Sequence, residues 1–406
     1  MRPLDPGVMT ISGSIILLLL VASAVALAAR RLRVPYTVAL VVAGLLLSAS
    51  PLLHPPALTK ELLFAVFLPG LLFEAAFHLD AEEFWRNRLT IFSLALPAVV
   101  LATLVTATGL VLALRVAGIA LAWGPAFVFA TLIAATDPIA VVALVRTLGA
   151  PIRLGVLIES ESLLNDGTAA VSFTAAVSYV LGSQPNAGSI AWHFVYAIGA
   201  GVLIGGAAGL AARRLLAWLD DVMVMITMTT TAAYGSFLVA DTVGASGVIA
   251  AVTAGLLSGT HVWPRDSTTP ARATLQGFWQ YIAFALNSLV FLLIGFQARL
   301  AQLLHAWRAI VIAYVVVMVT RVLVTYAIVA VMPKREQLPR GWTPVLAWSG
   351  LRGALSMVLA LSLAATLPQR ETIIDMTIGV VVLSILIQGM TVSPLMRRLR
   401  LETVEP

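Results

Sequence analysis

The residues whose side chains could bind ions or protons are the polar and charged ones inside long apolar stretches. Residues 158–168 read Ile-Glu-Ser-Glu-Ser-Leu-Leu-Asn-Asp-Gly-Thr. Helix positions i and i+4 share a face, which pairs Ser162 with Asp166 and Glu161 with Asn165. A hydroxyl and a carboxylate on one face offer hard oxygen ligands to a small cation, and the carboxylate can bind a proton instead. A site that binds either ion, but not both, predicts exchange of a monovalent cation such as Na+ for H+ at Asp166.

Two apolar runs are interrupted by helix-breaking residues. Residues 135–138 read Ala-Thr-Asp-Pro, and residues 349–353 read Ser-Gly-Leu-Arg-Gly. Proline removes a backbone hydrogen bond and disfavours helix just before it. Broken helices at corresponding places in two halves of a chain indicate a transporter site, and the carbonyl groups freed there can complete a cation's ligand shell. Asp137 is interpreted first as a cap for exposed N–H groups of the broken helix, and second as a direct ion ligand.

Other charged residues within or near the apolar runs leave alternatives open. Glu161 and Arg352 carry opposite charges in different runs, and we predict that they pair, because a single buried charge is costly. Arg321 is predicted to have a structural role with no assigned partner. Glu74 is either an interfacial carboxylate in water or part of an ion funnel, and Glu159 is expected to face the cytoplasm. The alternative for Asp166 is a carboxylate that only caps or joins helices.

The composition indicates an integral membrane protein. The 406 residues are 60% hydrophobic and 11% charged, with a mean hydropathy of +0.99. Soluble domains are about 45–50% apolar and about 25% charged. The absence of cysteine excludes disulfides and cysteinyl metal sites. We find no phosphate-binding glycine loop, nucleophile elbow or zinc signature, so we expect neither an enzyme nor a cofactor.

The apolar runs predict an all-α polytopic fold with about thirteen transmembrane helices in one domain, 1–406, without a soluble regulatory domain. A first six-helix repeat covers about 11–181, a connecting span 190–216, and a second, inverted repeat 221–394. The breaks then fall in the fifth span of each repeat, which are spans 5 and 12. The predicted spans are 11–29, 34–50, 61–77, 89–114, 122–148, 153–181, 190–216, 221–240, 244–258, 274–297, 306–332, 342–366 and 372–394.

Basic residues predict the orientation. With the N-terminus outside and the C-terminus cytoplasmic, 17 Lys and Arg residues lie inside, 6 lie outside and 2 lie within spans, which accounts for all 25. Cytoplasmic loops carry such an excess, and this bias explains the net charge of +6 better than nucleic-acid binding does. The five histidines are predicted to be surface residues at span ends or in loops: His54, His78, His193, His261 and His305.

Five stretches also carry a family resemblance. The chain resembles the monovalent cation:proton antiporters of the NhaP and eukaryotic exchanger branch, in family order and over most of its length. One departure is Gly70, where the family commonly has a second proline. The matching stretches are residues 67–76 (Phe-Leu-Pro-Gly-Leu-Leu-Phe-Glu-Ala-Ala), 135–138 (Ala-Thr-Asp-Pro), 161–167 (Glu-Ser-Leu-Leu-Asn-Asp-Gly), 291–295 (Phe-Leu-Leu-Ile-Gly) and 350–354 (Gly-Leu-Arg-Gly-Ala).

The resemblance implies crossed, broken helices beside the ion site and a homodimer in the plasma (inner) membrane. It implies that Asp166 binds Na+ with Ser162 and the backbone and hydroxyl of Thr136, assisted by Glu74. It further implies that Asn165 and Asp137 organise the crossing and that Glu161 pairs with Arg352. Asn165 before Asp166 resembles the electroneutral branch. A K+/H+ exchanger on the same fold, and a cation channel or membrane sensor, remain the alternatives.

Overall fold

The computed structural model describes residues 6–32, 34–48, 62–183, 186–219, 221–259, 270–298, 300–333 and 336–401. The predicted surface positions His54 and His261 lie outside these ranges. The helices up to the first break are α1 (Pro6–Leu32), α2 (Tyr36–Ser48), α3 (Leu68–His78), α4 (Ala81–Arg86), α5 (Arg88–Ala95), α6 (Pro97–Val116) and α7 (Trp123–Leu132), with a π-helical turn at Leu63–Phe67 before α3.

The helices after the first break include the longest ones in the described chain. A second π-helical turn, Tyr179–Ser183, follows α9. These helices are α8 (Ile139–Thr147), α9 (Ile152–Ser178), α10 (Ala187–Leu216), α11 (Val222–Thr242), α12 (Gly247–Gly259), α13 (Pro270–Gln297), α14 (Leu300–His305), α15 (Trp307–Val331), α16 (Trp342–Trp348), α17 (Ala354–Leu361) and α18 (Arg370–Arg398).

The predicted helical architecture is confirmed. Each of the thirteen predicted spans coincides with one helix or with an interrupted pair of helices, while the short helices α4 and α14 occupy segments predicted as loops. Within the described ranges, six helical stretches are long and apolar enough to cross a membrane: Arg88–Val116, Gly188–Leu216, Val222–Thr242, Pro270–Gln297, Trp307–Val331 and Arg370–Arg398. The number of crossings therefore stays a prediction.

Both predicted breaks are present, and they meet. α7 ends at Leu132 and α8 begins at Ile139, and the second break separates α16 from α17. The backbone N–H of Asp137 donates to the carbonyl oxygen of Leu351 at 2.7 Å, which forms an isolated antiparallel bridge between the two interruptions. Gly353 is required there, because a Cβ at this position would collide with the Asp137 side chain. The two broken helices therefore cross backbone to backbone.

α9 runs past this crossing through the interior. It packs against α7, α5 and α8, and on another side against α12 and α3. Its buried face carries polar side chains, among them Glu159, Glu161, Ser162 and Asn165. Polar groups are expensive to bury without partners, so this face of α9 must be matched by polar groups on the neighbouring helices.

Candidate ion-binding site

The break between α7 and α8 brings three of the predicted site residues together. Ser162 donates a short hydrogen bond from Oγ to the backbone oxygen of Thr136. The Thr136 hydroxyl donates to Ser162 Oγ at 3.1 Å. The carboxylate of Asp166 faces the backbone N–H of Thr136. Ser162 and Thr136 are buried and Asp166 is partly buried, so this set lies away from bulk water.

The arrangement leaves oxygen lone pairs unused. Each hydroxyl donates its one proton within the set, so lone pairs on Thr136 Oγ1 and Ser162 Oγ are left to accept a cation. Oδ1 of Asp166 is buried and has no hydrogen-bond partner within the described chain. One carboxylate, two hydroxyls and a backbone carbonyl form an oxygen-only donor set of the kind that hard cations prefer. The same carboxylate can instead be neutralised by a proton.

Asp137 and Arg352 occupy the facing ends of the broken helices. Oδ1 of Asp137 accepts a hydrogen bond from the N–H of Ile139 at 3.0 Å, at the N-terminus of α8. Nη1 of Arg352 donates to the carbonyl oxygens of Ala134 and Ala135 at 3.0 and 3.2 Å, just beyond the C-terminus of α7. A carboxylate at a helix N-terminus and a cation at a C-terminus both stabilise the helix dipole. This geometry supports the capping interpretation of Asp137.

The predicted Glu161–Arg352 pair is wrong. Glu161 forms a two-pronged ion pair with Arg321 of α15, with Nη1–Oε1 at 2.6 Å and Nη2–Oε2 at 2.7 Å. Arg321 also donates to the carbonyl oxygen of Leu346 at 3.0 Å, and Asn165 donates from Nδ2 to Glu161 Oε1 at 2.6 Å. Parallel contacts between the planar guanidinium and the carboxylate are the strong geometry for such a pair. Arg352 is turned instead toward the carbonyl groups beyond α7.

Comparison with known proteins places this arrangement in a family. The profile of the family described as "Sodium/hydrogen exchanger, transmembrane" matches residues 15–398. The chain belongs to the sodium/hydrogen exchanger family. It is 34% identical over 400 residues to the Na(+)/H(+) antiporter NhaG of Bacillus atrophaeus, covering 94% of this chain and 73% of NhaG. It is 33% identical to the Na(+)/H(+) antiporter NhaP of Pseudomonas aeruginosa, covering 84% and 81% of the two chains.

The fold of the exchanger also matches a solved structure. The sodium proton antiporter MjNhaP1 from Methanocaldococcus jannaschii superposes with a TM-score of 0.81, covering 97% of this chain and 99% of that one. The identity between the two sequences is 18%, so the likeness shows the shared fold. The predicted family is therefore confirmed by the sequence comparisons, and the solved structure confirms the fold.

Each of the four residues in the Gly-Leu-Arg-Gly segment of the exchanger, residues 350–353, has a separate structural role. A Cβ at Gly350 would lie 2.9 Å from Nε of Arg321, so glycine leaves room for the ion pair with Glu161. Leu351 supplies the bridging carbonyl to Asp137, Arg352 reaches the carbonyls beyond α7, and Gly353 admits the Asp137 side chain. Sequence reasoning identified the segment as a break but missed the role of Gly350.

Glu74 lies in a separate group of charged residues of the exchanger. Its Oε1 is 3.1 Å from Nδ1 of His78, and Oε2 of Glu159 is 3.7 Å from Nη2 of Arg146. Glu159 interacts electrostatically with both Glu74 and His78, so the two ion pairs are neighbours. The prediction that His78 is a surface residue is wrong, because its side chain is only 10% exposed. Its position one residue beyond a predicted span gave no signal of burial.

Metal-binding clusters of the usual kind are not found in the described residues, where no group of three or more His, Cys, Asp and Glu side chains is arranged to hold a metal ion. The oxygen set around Asp166 differs from such clusters because most of its donors are neutral hydroxyl and carbonyl oxygens. A donor set with one formal negative charge matches a monovalent cation, since binding leaves no net charge to bury.

Proposed function

We propose that this exchanger carries Na+ in exchange for H+, with both ions competing for the Asp166 carboxylate. The observation that carries the proposal is the unpartnered Oδ1 of Asp166 beside the two hydroxyls and the backbone carbonyl of Ser162 and Thr136. Relatives at 33–34% identity are named Na(+)/H(+) antiporters, which agrees with this cation and this exchange.

The mechanism follows from charge. A protonated Asp166 is neutral and gives a cation no counter-charge, whereas the ionised carboxylate holds one Na+ with the neutral oxygens of Ser162 and Thr136. Either way the occupied site has no net charge, so it can change its access from one side of the membrane to the other at low cost. The empty ionised site keeps its charge and resists this step. Obligatory occupation by one ion makes the exchange one-for-one and electroneutral.

The remaining features of the proposal concern the assembly. We place about thirteen crossings in two inverted repeats, 11–181 and 221–394, joined by the span at 190–216. The basic-residue distribution supports an outside N-terminus, a cytoplasmic C-terminus and insertion in the plasma (inner) membrane. The protein works as a homodimer by alternating access, with the crossing organised by Asp137, Asn165, Arg352 and Glu161 and with Glu74 assisting ion entry.

The decisive test is Asp166→Asn, which keeps the size of the side chain and removes its titration. In proteoliposomes, added Na+ should collapse an imposed pH gradient across membranes containing the unmodified protein, and K+ should do so poorly. The Asp166→Asn protein should leave the gradient intact, whereas Asp375→Asn on α18 serves as a carboxylate control. Near-normal exchange by Asp166→Asn would refute the proposal. Dependence of the rate on a potential clamped with valinomycin would refute electroneutrality.

A further inference from the structure

His78 ends α3, one helical turn after Glu74. Its Nδ1 lies 3.1 Å from Oε1 of Glu74 and 3.0 Å from the Glu74 backbone oxygen. The histidine side chain is 10% exposed and that of Glu74 is 19% exposed. Nε2 of His78 is buried without a hydrogen-bond partner within the described chain. The contact through Nδ1 is therefore the polar attachment that the structure describes for this imidazole.

Packing fixes the imidazole in place. The ring of Phe77 meets it edge to face, with ring centroids 5.5 Å apart. On the α12 side, a Cβ at Gly255 would lie 2.5 Å from the backbone oxygen of Phe73, so α12 lies directly against the backbone of α3. Small residues permit such close helix approach in membranes. Because α3 cannot shift easily against α12, His78 is a fixed anchor for the carboxylate of Glu74.

A second carboxylate lies beside this pair. Glu159 of α9 is 8% exposed, has Arg146 at 3.7 Å, and interacts electrostatically with Glu74 and His78. Glu159 precedes Asp166 by seven residues, which is two helical turns and roughly 10 Å along nearly the same face of α9. Glu74 and Glu159 thus lie on the side of Asp166 that the basic-residue distribution assigns to the cytoplasm.

We propose that His78 is a positioning residue that holds the Glu74 carboxylate beside Glu159, so that the two acids concentrate Na+ on the cytoplasmic approach to Asp166. This inference rests on the proposed exchange at Asp166. Like charges repel, and without the Nδ1 contact the Glu74 side chain would turn away from Glu159. Carboxylates lining a recess raise the local cation concentration without touching the transported ion at its binding site.

The inference predicts a specific kinetic pattern. Loss of the Nδ1 contact should raise the apparent KM for cytoplasmic Na+ roughly fivefold, from the usual worth of a hydrogen bond to a carboxylate, with the maximal rate nearly unchanged. His78→Leu removes the contact, whereas His78→Asn carries an amide nitrogen near the position of Nδ1 and should restore the normal KM. His193→Leu is the matched control, because His193 lies on an exposed part of α10.

A double-variant cycle measured in everted membrane vesicles, with rates normalised to protein in the membrane, separates positioning from packing. Glu74→Gln should raise the KM by itself, and adding His78→Leu should then change it no further. The inference is overturned if His78→Leu raises the KM by the same factor in both backgrounds, if His78→Asn behaves like His78→Leu, or if His78→Leu leaves the KM unchanged. If any of these results accompanies an inactive Asp166→Asn protein, exchange at Asp166 stands and only the role of His78 fails.

Discussion

Replacing the buried Arg321 of α15 by Met should destabilise the exchanger more than replacing any single arginine on its surface or in its loops. The change removes both prongs of the ion pair with Glu161, at 2.6 and 2.7 Å, and the hydrogen bond to the Leu346 carbonyl at 3.0 Å. Glu161 is then left buried, at 2% exposure, without the counter-charge that is paired with it. Removing one partner of a buried ion pair costs about 3–5 kcal/mol, mostly through the charge left behind.

The double variant tests that reasoning directly. Glu161→Gln removes the charge of the partner but keeps an oxygen that can accept the hydrogen bond from Asn165. If the cost of Arg321→Met comes from a stranded charge, the double variant should be more stable than Arg321→Met alone, by about 2 kcal/mol or more.

The assay is the apparent unfolding temperature of the protein in detergent, followed by intrinsic tryptophan fluorescence for all variants under one scan rate. Arg214→Met, on an exposed position of α10, is the control for loss of an arginine. The reasoning is refuted if Arg321→Met unfolds at the same temperature as the Arg214→Met control. It is also refuted if the effects of Arg321→Met and Glu161→Gln on the unfolding temperature simply add. If the unfolding temperatures instead show strong coupling between Glu161→Gln and Arg352→Met, and none with Arg321→Met, the Glu161–Arg352 pair predicted from the sequence would be correct.

Four further predictions concern the crossing and the site. Asp137→Ala removes the cap on the N–H of Ile139 and should cost about 1 kcal/mol of stability. Asp137→Asn keeps an oxygen that can accept this hydrogen bond and should retain most of that stability. Thermal melts of both variants check this. Gly353→Ala should abolish or severely reduce exchange in proteoliposomes, because its Cβ collides with Asp137, while Gly277→Ala, where a Cβ meets open space, should not. Na+ at about 100 times its Kd should stabilise the unmodified protein by about 2.7 kcal/mol, and Asp166→Asn should lose this shift. H+ and Na+ compete for one carboxylate. The apparent Na+ affinity should therefore fall up to tenfold per pH unit as the pH drops below the pKa of that group. A pH-independent affinity in transport assays would contradict the mechanism.

Much of the fold was predictable because membrane spans need long apolar runs, and these are visible in sequence. The two breaks were predictable from Pro138 and from the glycines around Arg352, since each weakens helix locally. The juxtaposition of Ser162 with Asp166 followed from helical spacing. These inferences depend on residues close together in the chain, where helix geometry converts spacing into direction.

The partner of Glu161 could not be predicted in the same way. Arg321 and Arg352 both interrupt apolar runs, and the sequence does not show which one faces α9. That choice depends on how α15 and the second broken helix are placed in space, and on carbonyl groups beyond α7 that compete for Arg352. The packing of α3, which carries His78, depends likewise on α12, whose glycines let it approach α3 closely. Contacts between distant segments were therefore the part that only the structure supplied.

The pairing of the interior charges explains why Asp166 is the carboxylate available to ions. Three of the other acids in this region face a basic side chain, and these are Glu161 with Arg321, Glu74 with His78, and Glu159 with Arg146. Asp137 instead caps the N-terminus of α8 through the N–H of Ile139. Asp166 faces the backbone N–H of Thr136, and its Oδ1 has no hydrogen-bond partner in the described chain. An ionised Asp166 therefore gains more from a counter-ion than Glu161, Glu74 and Glu159 do, because those three already face basic side chains. The permanent pairs thus leave one negative charge for H+ and Na+ to neutralise in turn.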